Sequence, residues 1–354
     1  MTYKVIQWAT GTVARDAIKG IVGHRDLELV GTWVHSADKD GRDVGELCGI
    51  APLGVVATRD QEALLAMKAD CVCFMPGRSW VANPMETFAE LLRILRSGKN
   101  VVNLWWPSMV YPKAMDGDVF RQLEDACLEG GSSIVSVGMD PGFGTAGLAL
   151  SALTLSRQVD SIRMIQVMNN AYWEGPGITL FFGFGQPDTS QSPMLHPGNT
   201  TSYHATTLHM LADALGVSID EIVEEHSVIY ADEAFDIASG HIPAGTVSGI
   251  WYKVKGMVDG TPMVTVEHVE RLREQDFPEL AFAGDGYRVE ITGEPCSRLD
   301  MTVSKLPTFA GDPIAVACAM SVVNAIPQVC AAPPGVLSLL DLKPIPPKHL
   351  SPSR

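Results

Sequence analysis

The opening stretch, Tyr3 to Ala14, constrains the fold more than any other part of the chain. Tyr3-Lys4-Val5-Ile6-Gln7-Trp8 reads as a strand, followed by the small-residue turn Ala9-Thr10-Gly11-Thr12-Val13-Ala14 and an amphipathic segment reaching Val22. Strand, tight turn and helix start in that order match the spacing G-x-G-x-x-G/A, with alanine first, Gly11 second and Ala14 third. Gly11 matters most, because a missing side chain lets backbone approach a pyrophosphate where the first N–H groups of a helix and its dipole favour an anion. A small-residue turn of this kind also occurs in α/β proteins that bind no nucleotide. Here the context favours a dinucleotide: Leu27-Glu28-Leu29-Val30-Gly31-Thr32-Trp33-Val34 supplies a second strand at the distance a βαβ unit requires. Ala9, Thr10, Gly11, Thr12 and Val13 are therefore the expected cofactor contacts.

At the end of a second strand an acidic side chain would bond a ribose 2′-OH and repel a 2′-phosphate. That acid is missing. The segment His35-Ser36-Ala37-Asp38-Lys39-Asp40-Gly41-Arg42 offers imidazole, hydroxyl, ammonium and guanidinium groups instead, which predicts NADP over NAD, with His35, Ser36, Lys39 and Arg42 as contacts. The alternative is a solvated loop in which Asp38 and Asp40 offset the positive charge.

A chain of 354 residues is long for one core and predicts two domains. Its formal charge of −15 argues against nucleic acid or an anionic membrane as partner. No signal peptide is legible after Lys4, and no apolar run is expected to reach the ~18 residues of a membrane span, so a cytoplasmic protein is predicted. Seven cysteines without a C-x-x-C pair form neither a disulfide nor a zinc framework, and no metal site is expected.

Up to Val137 short apolar strands alternate with helical patterns, the signature of a doubly wound parallel sheet. Strands are expected at Val55–Ala57, Cys71–Met75, Val101–Asn103 and Ser133–Val137. Beyond the helix ending near Ser156, strands follow one another with few helices, and Val258-Asp259-Gly260-Thr261 is a hairpin signal because Asp-Gly tolerates positive φ. The fold class expected is α/β: a Rossmann domain plus an α+β substrate domain with a mostly antiparallel sheet. The boundaries expected are 1–142 for the first, 143–312 for the second, and 313–354 for a helix and extended arm packing back on the first. The Gly- and Pro-rich segment 175–199 reads as a functional loop.

In such sheets ligands lie beyond the carboxyl ends of strands, so Met75, Pro76 and Asn103 are expected at the cofactor, and Asn324 at its carboxamide if the last helix returns to the first domain. Trp105 and Trp106 read either as an apolar substrate wall or as core. Asp140, at a strand's carboxyl end, reads as a proton donor or as a helix cap. Tyr111 and His204 are further candidate donors. Glu174 and Phe143 are candidate pocket residues.

Lys4-Val5-Ile6-Gln7-Trp8-Ala9-Thr10-Gly11, His35-Ser36, Gly41-Arg42-Asp43-Val44-Gly45-Glu46-Leu47-Cys48-Gly49, Ala244-Gly245-Thr246-Val247-Ser248-Gly249 and Asn324-Ala325-Ile326-Pro327 resemble the dihydrodipicolinate-reductase-like group that contains 2,4-diaminopentanoate dehydrogenase and the native amine dehydrogenases. The resemblance covers almost the whole chain. It implies a nicotinamide cofactor, a homodimer built through the second sheet, and a small carbonyl or amine substrate converted through an imine that receives hydride. It also implies a glutamate in the loop after the fifth strand that handles ammonia. The matching stretch, Asn103 to Pro112, has no acid. Three readings stay open: an amine dehydrogenase, an ammonia-independent NADPH-dependent reductase of a carbonyl, imine or C=C bond, and a non-catalytic dinucleotide-binding protein. The paired-histidine motif of dihydrodipicolinate reductase proper is missing.

Overall fold

The computed structural model describes residues 2–77, 83–304 and 311–344. It divides into two compact units, 1–139 with 305–354, and 140–304. The boundaries expected from sequence lay at 142/143 and 312/313.

In the first unit the elements are β1 (Tyr3–Trp8), α1 (Thr12–Gly23), β2 (Leu27–Trp33), α2 (Val44–Leu47), β3 (Ala57–Thr58), α3 (Gln61–Ala66), β4 (Cys71–Phe74), α4 (Pro84–Arg96), β5 (Asn100–Asn103), α5 (Gly117–Gly130) and β6 (Ser133–Ser136). The chain returns to this unit as α9 (Pro313–Ala331) and β15 (Gly335–Leu337). All seven strands pair in parallel, in the order β15-β6-β5-β4-β1-β2-β3. β1 lies inside the sheet between β4 and β2 and carries Val5, Ile6 and Trp8 fully buried. α1 forms because Ala14, Ala17, Ile18 and Ile21 recur at helical spacing, and this stripe joins Val322, Val323 and Ile326 of α9 in one core cluster. Each isoleucine or valine of the cluster, once buried, stabilises by ~1.5–3 kcal/mol.

The second unit holds α6 (Leu148–Leu153), β7 (Gln158–Asn169), α7 (Pro176–Phe182), α8 (Asn199–Leu215), β8 (Glu221–Tyr230), β9 (Phe235–Ile237), β10 (Gly240–Ile242), β11 (Val247–Val258), β12 (Thr261–Arg271), β13 (Gly286–Glu294) and β14 (Ser297–Thr302). Six strands form the main sheet in the order β14-β13-β7-β12-β11-β8. Asp259 and Gly260, at φ 50° and 72°, close the β11–β12 hairpin as the Asp-Gly pair predicts. α8 packs on β8, β11 and β12.

Several expectations need correction. The second sheet is mostly antiparallel, as expected, but its central pair, β12 and β7, runs parallel. Segment 175–199 is not irregular throughout, since it contains α7, started by Pro176 at its first turn, and a 3-10 turn at Thr189–Gln191. The tail after Pro333 is not simply an arm: β15 extends the parallel sheet at β6, while residues 345–354 lie outside the described part. α9 runs on through Pro327 to Ala331, with Ile326 and Val329 on either side of the proline buried. This helix is also long and apolar enough to cross a membrane, contrary to the reading that no run reaches that length; here it packs on α1 and β5.

Candidate active site

The first unit presents the turn between β1 and α1. Ala9 sits at φ 79°, the left-handed conformation that explains why the fingerprint prefers glycine there. Gly11 precedes α1 as its N-cap, with no side-chain cap and no acidic residue in the helix's first turn. A Cβ built on Gly11 would meet nothing within 4 Å, whereas one on Gly20 of the same helix would lie 2.8 Å from Met320 Sδ. Internal packing thus accounts for Gly20, and Gly11 keeps open space beside an unopposed helix N-terminus, which fits an anionic group such as a pyrophosphate.

The loop beyond β2 folds toward this turn: Lys39 Nζ donates to Thr10 Oγ1 at 3.1 Å. Ser36 is half-buried and Arg42 exposed. Asp40 accepts from the backbone N–H of Arg59, and among the described residues no ion pair joins Lys39 or Arg42 to Asp38 or Asp40. His35 is exposed and meets the edge of Trp33. Thr10 is buried, and Thr12 and Val13 open α1. Met75 is buried at the end of β4, next to Pro76.

Asn103, at the end of β5, is fully buried; its amide donates to Met109 Sδ while its Oδ1 has no partner. Asn324 Oδ1 on α9 is likewise buried and unpartnered. Two orphaned amide oxygens fit the N–H groups of a carboxamide. Trp105 packs as core. It is buried in the core cluster with Phe74, their ring centroids 5.8 Å apart, and Trp106 packs edge-on against Phe88. Tyr111 is buried as well.

In the second unit the sheet assembles a polar row. Cross-strand register aligns Tyr287, Gln166, His268, Tyr252 and His226 on five neighbouring strands. Along β12 the period of two puts Val264, Val266, His268 and Glu270 on one face. His204 of α8 reaches that row, with Nε2 3.2 Å from Tyr252 Oη and its ring 4.6 Å from that of His268. Asp140 joins from the segment before α6. It does not cap a helix, since Pro141 (ψ 141°) and Gly142 (φ 155°) after it are non-helical as well.

Asp140 Oδ2 lies 3.0 Å from His268 Nε2, an ion-pair contact that is not aligned as a hydrogen bond, and Asp140 Oδ1 is buried without a hydrogen-bond partner among the described residues. His268 Nδ1 faces Glu270 Oε1 and Gln166 Nε2, each at 3.2 Å. The other Glu270 oxygen accepts from Asn170 Nδ2 at 2.7 Å. Burial alone would push the His268 pKa down, but Asp140 and Glu270 overcome it and lift it to about 9. Burial would raise Asp140, yet the His268 charge, with smaller help from His204 and Thr145, holds its carboxyl below the usual value. His204, buried and beside that cation, is depressed to about 3 and stays neutral. At neutral pH the site is a carboxylate against an imidazolium, flanked by a neutral imidazole and the Tyr252 phenol.

Such a set can hold a cation, accept N–H bonds and pass a proton. Asp140, His204 and His268 each bring a possible metal-ligand atom within 4.8 Å of the others. The structure brings Asp140 and His204 together; Glu174 is exposed and Phe143 half-exposed, and neither contributes to the cluster. His268, Glu270, Gln166, Tyr252 and Asn170 were missed from sequence. The available signal was His268 and Glu270 falling on the same strand face as Val264 and Val266.

Comparison with known proteins adds to this geometry. Residues 196–352 match the model of the 2,4-diaminopentanoate dehydrogenase C-terminal domain. An amine dehydrogenase of Streptomyces virginiae is 33% identical over 353 residues, covering 95% of each chain. A 2,4-diaminopentanoate dehydrogenase of Acetoanaerobium sticklandii is 26% identical over 264 residues, covering 74% of this chain and 71% of that one. Among solved structures, an amine dehydrogenase from Mycobacterium smegmatis superposes with a TM-score of 0.75 at 20% identity, covering 98% of this chain and 97% of the other, a likeness of fold.

Proposed function

The chain belongs to the amine dehydrogenase family of nicotinamide-dependent oxidoreductases, and from that premise we propose that it transfers hydride between NADPH and the imine formed from a ketone or aldehyde and ammonia. The single observation that carries the cofactor half is the open space at Gly11 in front of a helix N-terminus that no side chain caps. Ser36, Lys39 and Arg42 support the phosphorylated dinucleotide, Lys39 being tied to Thr10 of the same turn. The Asn103 and Asn324 amide oxygens suit the carboxamide end. The cofactor supplies the hydride; the protein's part is orientation, exclusion of water and proton handling. A homodimer belongs to the same reading.

A second reading, an ammonia-independent reductase, is favoured by one observation: the loop Asn103 to Pro112 contains no carboxyl group. Oxidation of NADPH with a panel of ketones and aldehydes, with and without ammonium, separates the two. Dependence on ammonium is the expected result; turnover indifferent to it would replace the first reading with the second.

A further inference from the structure

Reductive amination needs a group that holds ammonia while it adds and then holds the iminium nitrogen while hydride arrives. We propose that Asp140 is that group in this chain, its Oδ1 accepting the N–H, with His268 and Glu270 as positioning residues. The inference rests on the amine dehydrogenase reading and names the residue that answers the loop's missing carboxylate.

Three observations carry it. Asp140 Oδ1 is buried and unpartnered, and a buried acceptor left so costs ~1–3 kcal/mol unless something bonds it. Its other oxygen is opposed by His268, whose Nδ1 faces Glu270, and Gln166 and Asn170 donate to the two Glu270 oxygens. That chain of contacts sets the direction of the first oxygen. Finally, His204 and the Tyr252 phenol, 3.2 Å apart, flank His268 in the same polar row of the second unit. A merely structural position would not explain the open oxygen beside an ion-paired one.

The chemistry balances. Ammonia's lone pair forms the C–N bond as the carbonyl π pair moves to oxygen; Asp140 takes one proton from nitrogen and returns it to that oxygen, giving the carbinolamine. A second proton, supplied by protonated His268 through Asp140 and restored from solvent, lets the C–O bond break with its pair leaving as water. The nitrogen pair makes C=N, and the iminium carbon receives hydride. Carbonyl compound, ammonia, one proton and reduced nicotinamide give amine, water and oxidised nicotinamide.

The test is Asp140→Asn, which keeps the shape and removes the charge. With NADPH, a carbonyl substrate and varied ammonium, kcat/KM for ammonium should fall ~10²–10⁴-fold, while the Kd for NADPH, read by fluorescence titration, stays at the wild-type value. His268→Gln should raise the ammonium KM more than it lowers kcat and should shift the alkaline limb of the pH profile. Wild-type ammonium kinetics in Asp140→Asn would overturn the assignment, whereas indifference of the wild-type protein to ammonium would overturn the reading beneath it. If Asp140→Asn does not melt cooperatively, Asp140→Glu takes its place: a displaced carboxylate raises the ammonium KM, and an unchanged KM refutes the proposal.

Discussion

Asp140 Oδ2 and His268 Nε2 face each other at 3.0 Å inside the second unit, both side chains almost wholly removed from solvent. Two opposite charges so placed gain from each other what each loses by dehydration, and removing one leaves the other uncompensated. The groups facing His268 are Asp140, Glu270, the neutral His204 and the Tyr252 phenol, whose own pKa burial raises. The sign of the pH effect follows. His268 is raised to about 9 in the folded chain, so its contribution is complete below its unfolded value of ~6.5 and is lost as pH climbs through 9. Asp140 is lowered, so its contribution is present above the unfolded carboxyl value and disappears as acid protonates the folded form. Melting of His268→Gln against wild type should therefore show a gap that is widest below pH ~6.5, short of the acid that protonates Asp140, and that closes as pH rises from there through about 9. A gap constant over that range would mean that His268 is not held protonated.

Gly11→Val tests the turn. Nothing within 4 Å opposes a Cβ there, and the residue's φ of −70° suits any side chain. The melting temperature should stay where it is. Cofactor affinity should fall by at least ~10-fold, since a branched side chain fills the space a pyrophosphate needs. Loss of stability with binding intact would assign Gly11 to folding instead.

Phosphate recognition by the loop after β2 predicts an asymmetric effect. Charge-assisted hydrogen bonds are worth ~1.5–3 kcal/mol each, so Arg42→Ala should weaken NADPH by ~10–150-fold and leave NADH nearly untouched. Ser36→Ala should act in the same direction and less. Equal losses for both dinucleotides, measured by titration, would return the loop to a solvated role.

The first unit was legible because its information is local. β1, the turn at Gly11, α1 and β2 follow one another in sequence, and each period and breaker sits beside the next. The polar row could not be read the same way, since Gln166, Tyr252 and His268 become neighbours only through register among β7, β11 and β12, which no short-range signal fixes. His204 and Asp140 were recognisable singly as chemical groups; their meeting depends on where α8 packs. Register likewise hid the parallel pairing of β7 with β12, because the connection between them is long. Trp105 stayed open for the opposite reason: two adjacent aromatic residues in a loop fit a pocket wall or a core equally well, and only packing shows that the first joins the core cluster.

That placement of Trp105 yields a last prediction. It is buried against Phe74, at 5.8 Å and nearly perpendicular, and touches Trp106 at 5.6 Å. Truncating a buried tryptophan removes its transfer energy and leaves a cavity, so Trp105→Ala should destabilise by ~3–5 kcal/mol. Trp106, half-buried on the same loop, should cost clearly less. The two readings of Trp105 part in the kinetics as well as in the melt. A core residue changes the denaturation midpoint while the preference among carbonyl substrates of different size holds in the protein that remains folded, whereas a substrate wall would change that preference with little effect on the midpoint. Chemical denaturation of the variant beside a substrate series decides between them, and a wild-type midpoint with altered specificity would overturn the core assignment.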